Sequence, residues 1–284
     1  MITSPLHGTH RATEEYPVMQ RTGIRFFRTM ARAGVGTFAE IGDRAYFLRD
    51  TLRAIGTEWR TYVPLVFAQM RRIGVDSLPL TAIVAAFIGS VIALQTRYQL
   101  FPGVQLSVVG LISRQMIILE LGPLLTGLVL TGRVGARMTA EIGTMRVTEQ
   151  IDALETLSYD PVAYLVVPRL IAGTLMLPLL VIFANAVGVT TAFFTSVTAT
   201  DVTWQQFSEG LRLSYTFFQI AYSLIKATIF GAAIAFLCSF EGYVTDVGAE
   251  GVGRSTAKAV VVTSVAILVL DALTASLLAN QLQG

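Results

Sequence analysis

Residues 78–100 read LPLTAIVAAFIGSVIALQTRYQL, and no charge interrupts the stretch before Arg97. A run of this length and polarity matches the roughly 20 residues that cross a hydrocarbon core of about 30 Å. It is the first of several. An amphipathic stretch, Glu58 to Gly74, precedes it and ends in Arg71 and Arg72. A second run extends from about Leu106 to Leu130 and carries Arg114 and Glu120 inside it. A polar stretch of helical character, Thr131 to Asp160, leads to a third run from about Val162 to Phe194, which Pro168 and Pro178 are expected to break. A polar loop with Asp201, Gln205, Gln206 and Glu209 precedes the fourth run, Phe217 to Phe240. A glycine-rich acidic loop, Glu241 to Gly253, leads to the fifth, Ala257 to Leu278.

Composition agrees with this pattern. Hydrophobic residues make up 53% of the 284 and charged residues only 14%, against about 25% in a typical soluble domain. Mean hydropathy is +0.62. Lipid is therefore the solvent for most of the chain. The fold class that follows is an all-α integral membrane protein. It has five transmembrane helices, an N-terminal amphipathic interfacial helix and a cytoplasmic helix between spans. Three regions are expected: a polar tail over 1–18, a basic amphipathic interfacial segment over 19–74, and a single membrane domain over 75–284.

Net charge is only +2, but 11 of the 21 basic residues precede residue 75. Arg25, Arg28, Arg32, Arg44, Arg49 and Arg53 alternate with large apolar residues such as Phe26, Phe27, Phe38 and Phe47. That mixture fits a helix lying in the membrane interface rather than a nucleic-acid surface. The loops between runs are alternately rich and poor in Arg and Lys. By the positive-inside rule the N-terminus and the 131–160 and 241–258 segments are cytoplasmic, and the C-terminus lies outside. An odd number of spans is what this requires.

Catalytic chemistry finds little support. His7 and His10, the only histidines, sit in the tail, so no Ser-His-Asp or Cys-His arrangement is available. Cys238 stands alone and no Cys/His cluster has metal-ligand spacing, so neither a metal nor a cofactor is expected. Gly248 to Ser255 follows the phosphate-loop pattern except that Arg254 replaces the lysine. The strand such a loop needs is replaced by a membrane span, and the bland reading is a flexible cytoplasmic turn.

The informative cytoplasmic segment is 139–157, TAEIGTMRVTEQIDALETL. Ile142, Met145, Ile151 and Leu154 give it an apolar face, while Glu141, Glu149, Asp152 and Glu155 make it acidic. It reads either as a solvated loop helix or as a docking helix suited to a basic groove on a partner. Within the spans, Arg114, Glu120, Lys226 and Asp271 are ionisable residues that must face a partner helix, a cavity or the interface.

Several motifs in one order resemble the MlaE/YrbE permease family. They are Glu120-Leu-Gly-Pro123, Gly132-Arg-Val-Gly135, Thr139-Ala-Glu-Ile-Gly143, Glu149-Gln-Ile-Asp-Ala-Leu-Glu155, Asp160-Pro161 and Pro168-Arg169. Phe240-Glu241-Gly242, Glu250-Gly251-Val252, Ser255-Thr256-Ala257 and Leu270-Asp271 follow toward the C-terminus. The resemblance runs from about residue 60 to the end. At one position the chain departs: Leu119 stands where relatives often carry an arginine.

What the resemblance implies is a non-enzymatic permease subunit of an ABC-type lipid transport system in the inner membrane. It implies a homodimer, a cytoplasmic ABC ATPase gripping a coupling helix (Glu141, Met145, Glu149, Asp152 and Glu155), and an MCE-domain protein on the outer face. The substrate class is phospholipid or a related hydrophobic molecule. The resemblance places its site at the dimer centre, at Leu94, Tyr98, Leu100, Phe101, Leu119, Glu120 and Asp271, with Val181 on the third run as a position away from it. A secondary transporter, which usually carries an internal repeat, and a membrane scaffold without transport are the alternatives.

Overall fold

The computed structural model describes residues 42–56, 59–246 and 248–278. The tail, with His7 and His10, and residues 19–41 of the expected interfacial segment lie outside them. Packing divides the chain into Met1–Phe47 and Leu48–Gly284. Of the first unit only 42–47 are described, and they are helical. All that follows concerns the second.

The described residues of this unit form helices and short connections. Helix α1 ends at residue 54. Helix α2 is Trp59–Ile73, and a single 3-10 turn, Val75–Ser77, joins it to α3, Leu78–Gln99. The second long rod joins α4 (Ser107–Gln115), α5 (Gly122–Leu130) and α6 (Ala136–Val147) through π-helical segments at Met116–Leu121 and Thr131–Gly135. A short α7, Gln150–Thr156, turns the corner. A third π segment, Val162–Val166, opens α8, Val167–Ala199. Helix α9 is Trp204–Arg212, α10 is Phe217–Tyr243 and α11 is Ala249–Leu278. Five stretches are long and apolar enough to cross a membrane: 62–99, 107–147, 162–199, 217–243 and 249–278. The chain is an all-α, multi-pass membrane protein.

Four sequence expectations change. The second run does not end at Leu130. The rod from Ser107 to Val147 has 41 residues and is roughly 60 Å long at ~1.5 Å per residue, about twice the hydrocarbon core. Gly132 and Gly135 do not break it, because Gly135 lets the rod approach α10: a Cβ there would lie 2.6 Å from Cys238 Sγ. Pro168 and Pro178 do not break the third run either. Pro168 occupies the first turn of α8, where its missing N–H costs nothing, and Pro178 lies inside the continuous helix. The polar loop after the third run contains α9, which starts with a capping box between Thr203 and Gln206. The glycine-rich turn is mostly helix: only Gly248, at φ +94°, takes a left-handed conformation before α11 begins at Ala249.

Helices α8 and α10 pack against each other at the centre, with α2 and α3 on α8 and α6 and α11 on α10. Small residues allow the approach, as expected where lipid supplies no hydrophobic drive between helices. A Cβ at Gly231 of α10 would lie 2.4 Å from the Gly173 carbonyl oxygen of α8. One core, with Leu130, Leu177, Phe230, Ile234 and Ile267, runs through the middle and the α2 end of the bundle. A second, with Ile92, Val109, Ile117 and Phe207, holds α3 and α4 to α8 and α9 at the other end.

Candidate functional site

Three helices meet at a charged knot inside the bundle. Lys226 projects from α10 and its side chain is fully buried. Its Nζ lies 2.6 Å from Asp271 Oδ1 on α11. It also donates to Glu120 Oε2 and, at 3.3 Å, to the Leu119 carbonyl oxygen, both on the π segment Met116–Leu121. A π turn frees carbonyls from the regular ladder, and such turns recur at functional positions. Gly122 and Pro123 begin the next helix, and Pro123 contributes no N–H of its own. The sequence places each of these charges in a span at a cost of about 2.5–3.5 kcal/mol, and the knot shows how that cost is offset. Glu120 remains 46% exposed, so one carboxylate of the knot faces away from the bundle core.

One turn before Glu120, Met116 lines a cavity of about 230 Å³ between α3 and α4. Ile92, Thr96, Gln99, Leu100 and Ile112 line it with Gln95. The walls are apolar apart from the amides of Gln95 and Gln99 and the hydroxyl of Thr96, a composition that suits an amphiphile. The volume is below the roughly 300–1,000 Å³ of complete small-molecule pockets.

The expected site residues therefore separate into groups. Leu100 lines the cavity. Leu119, Glu120 and Asp271 belong to the knot. Leu94 is half-buried, while Tyr98 and Phe101 are 79% and 81% exposed at the end of α3. Val181 does not sample lipid at all: it is fully buried. Gln95, Thr96 and Met116 were not expected, and nothing in the linear sequence distinguishes them from other residues of an apolar run. Lys226 was visible as an ionisable residue in a span, but its two partners are distant in sequence. Arg114, also buried, serves a different purpose. Its guanidinium donates to the Leu211 carbonyl at 2.8 Å and the Leu213 carbonyl at 3.0 Å, closing the C-terminal end of α9.

At the opposite end the acidic segment is not one helix. Glu141 and Met145 lie on α6, whereas Glu149 is the corner residue, at φ 59°, and Asp152 and Glu155 lie on α7. Glu141 is turned inward. It accepts from Arg137 Nε at 2.9 Å and from Arg169 Nη2 at 3.3 Å. Asp152 accepts from Arg146 Nη1 at 2.8 Å, which ties α7 to α6. Glu149 and Glu155 are exposed, together with Leu157 and Tyr159 just beyond α7. The buried Ile142 and Ile151 hold the corner against the bundle.

The near-match to a phosphate loop is not a loop. Residues 249–255 are the first turns of α11, and Arg254 Nη2 donates to Asp246 at 2.8 Å.

A helical bundle of five spans, with an ionic knot at mid-bundle beside a small, largely apolar recess and an exposed acidic corner, fits the class of polytopic membrane transport subunits. Comparison with known proteins makes the assignment specific. The family described as Permease MlaE matches residues 66–277. A probable ABC transporter permease protein of Rickettsia prowazekii is 41% identical over 218 residues, 73% of this chain and 80% of the relative. One from Synechocystis is 39% identical over 202 residues, 71% of this chain and 76% of the relative. The intermembrane phospholipid transport system permease protein MlaE of Haemophilus influenzae is 31% identical over 252 residues, 87% of this chain and 91% of the relative. The chain belongs to the MlaE permease family and is an ABC transporter permease.

Proposed function

We propose that this permease moves phospholipid, or a related two-chain amphiphile, between the inner membrane and the cell envelope. The observation that carries the reading is the apolar recess of α3 and α4 lying one turn from the half-exposed Glu120 of the knot. Acyl chains and a polar headgroup have separate places there. In this reading Leu94, Tyr98, Leu100, Phe101, Leu119, Glu120 and Asp271 border the lipid path.

Because the recess is smaller than a lipid, it is half of a site. A second copy of the chain completes it. Exposed apolar stripes occur at Ile83, Phe87 and Val91 on α3, the helix that lines the recess, and at Val261, Val265 and Leu268 on α11. Such stripes meet either lipid or a second copy, and the incomplete recess favours the copy. The chain itself performs no hydrolysis. A separate ATPase grips the α6–α7 corner from the cytoplasm, and an MCE-domain partner covers the outer ends of α3 and α9. The N-terminus is cytoplasmic, as the distribution of arginines requires, and the region from residue 75 onward acts as one permease domain. The relatives' names support the phospholipid and the ATPase: one is a phospholipid transport permease and others are ABC permeases.

The test is ATP-dependent transfer of a fluorescent phospholipid in proteoliposomes holding the chain with its ATPase and envelope partners. The expected result is transfer that stops when ATP is omitted. Transfer that ignores ATP, or movement of a water-soluble solute instead, contradicts the reading.

A further inference from the structure

At the end of the bundle remote from the recess, α2 and the rod that carries α6 enclose a cleft. Gln69 and Arg72 form one wall, and Arg133, Arg137 and Glu141 the other. Its floor is apolar: Ile73 and Met138 are both buried. Charge there is unbalanced. Glu141 lies within 4 Å of three guanidinium groups, those of Arg72 at 3.9 Å, Arg137 at 2.9 Å and Arg169 at 3.3 Å. Arg133 lines the same cleft and forms no ion pair among the described residues. Three guanidinium groups thus surround one carboxylate, and a fourth, that of Arg133, lines the same cleft, so positive charge is in excess there. Arg169 is buried, and its Nε has no hydrogen-bond partner among the described residues.

The depth of the cleft is informative. The rod carries no charge from Leu121 to Leu130, and the cleft's basic wall begins within one turn of that point, at Arg133. This is the level at which a hydrocarbon core gives way to glycerol and phosphate. Arginine presents a rigid fork of donors that fits phosphate oxygens two at a time. The arginine stems, packed over the buried Ile73, Val134 and Met138, give the cleft an apolar component that a free anion has no use for but a glycerol backbone does.

We propose that this cleft is a second lipid site, which holds the phosphate of an anionic phospholipid from the leaflet on the α7 side. It is distinct from the recess between α3 and α4, at the other membrane face. A lipid seated there bridges α2 to the helix that carries the docking corner, so its binding is coupled to the position of α7. The inference rests on the membrane placement of these helices and not on the transported substrate.

The experiment uses the full chain, purified in neutral detergent and delipidated, with bound lipid counted by native mass spectrometry during titration with phosphatidylglycerol. Each juxtamembrane arginine contributes about 1 kcal/mol toward an anionic lipid. Arg133→Gln combined with Arg137→Gln is therefore expected to weaken binding about 30-fold, at roughly 1.4 kcal/mol per tenfold. Gln69→Trp, which fills the cleft without changing charge, weakens it as well. This second variant covers the case in which the double variant fails to fold, and helical melting of each is recorded. Arg254→Gln, an exposed arginine outside the cleft, leaves binding unchanged.

Unaltered binding in the double variant overturns the site. Equal loss in Arg254→Gln reduces it to general surface attraction and overturns it too. Displacement of the lipid by millimolar inorganic phosphate means that the cleft takes a free anion, not a lipid. Loss of ATPase co-purification with lipid binding intact assigns the cleft to a protein partner and again overturns the proposal. Lipid captured from position 100 reports on the recess alone, so failure here and failure of the transport reading are separable.

Discussion

Lys226→Met leaves two carboxylates, those of Glu120 and Asp271, without the ammonium that lies between them. The lysine side chain is fully buried, and Asp271 is only 17% exposed. Removing one partner of a buried ion pair costs about 3–5 kcal/mol, because the remaining charge stays in a medium that solvates it poorly. Glu120, at 46% exposure, turns partly outward and recovers some solvation, so the expected loss is about 3–4 kcal/mol, with most of it at Asp271. The methionine keeps the length and packing of the lysine stem. A further variant separates charge from packing: Lys226→Met with Glu120→Gln and Asp271→Leu removes the whole knot. Well-packed neutral replacements of buried ion pairs are often no less stable than the original, so this triple variant is expected within about 1 kcal/mol of the starting protein. The assay is reversible unfolding in mixed micelles by titration with dodecyl sulfate, followed by circular dichroism. If Lys226→Met alone unfolds at the same detergent fraction as the unaltered chain, the knot does not hold α5, α10 and α11 together. If the triple variant is as unstable as the single one, the loss comes from packing and the electrostatic account fails. On the proposed reading, in which Glu120 borders the lipid path, lipid transfer by the triple variant is expected to stay impaired after stability returns.

Further outcomes are expected elsewhere in the molecule. Glu149→Lys with Glu155→Lys, two exposed acids of the corner, should reduce co-purification of the ATPase, since close interfacial charge pairs couple by about 1.5–7 kcal/mol; full retention would remove the corner from the coupling interface. Gly231→Ala brings a Cβ within 2.4 Å of the Gly173 carbonyl, a clash with backbone that cannot rotate away, and should cost about 1–3 kcal/mol in the same unfolding assay; an unchanged midpoint would show that α8 and α10 are not in close contact. A cysteine at the exposed Ala153 should react with membrane-impermeant maleimide only after the cells are opened, while the buried Cys238 stays silent; labelling of intact cells would reverse the topology. Asp201 accepts from Arg97 Nη2 at 2.6 Å, and that hydrogen bonding holds its carboxyl below the usual range. Its contribution to the α8–α9 joint is therefore complete above about pH 4 and disappears as pH falls through the lower folded value. Arg97→Gln should abolish that acid-side dependence in amide exchange at residues 200–203, and an identical pH profile in both proteins would exclude the pair.

Much of the architecture was legible because the bilayer demands it. A span must be about 20 apolar residues long, so the five runs could be counted directly, and alternating arginines gave an orientation. What escaped detection depends on contacts rather than composition. Pro168 and Pro178 look like breaks in a linear reading and the polar residues after Leu130 like the end of a span, yet both helical rods continue through them, over 162–199 and 107–147. Helix α9 carries a signal that was missed, Trp204, Phe207 and Leu211 at helical spacing behind the Thr203–Gln206 capping box, because nine residues are shorter than the window in which periodicity is usually judged. The acidic stretch read as one helix is divided at Glu149, and Glu141 belongs to an internal arginine cluster, a distinction invisible without the third dimension. Lys226, Glu120 and Asp271 were each visible as costly residues in spans. Their union was not, because Lys226 and Glu120 are separated by 106 positions. Leu100, expected at the lipid site, lines the recess, but the other lining residues Gln95, Thr96 and Met116 carry no signal that separates them from ordinary span residues.

The claim that the recess between α3 and α4 lies on a lipid path is tested most directly by photo-crosslinking in living cells. A photoreactive amino acid is placed singly at Leu100, at Leu119 and at Leu179, the last an exposed α8 residue that replaces the buried Val181 as the bilayer reference. The ATPase is either active or disabled. The account predicts phospholipid captured at positions 100 and 119 well above the level at 179, and a change in that capture when the ATPase is disabled while position 179 stays constant. Equal capture at all three positions, indifferent to the ATPase, would mean ordinary bilayer contact and would contradict the account.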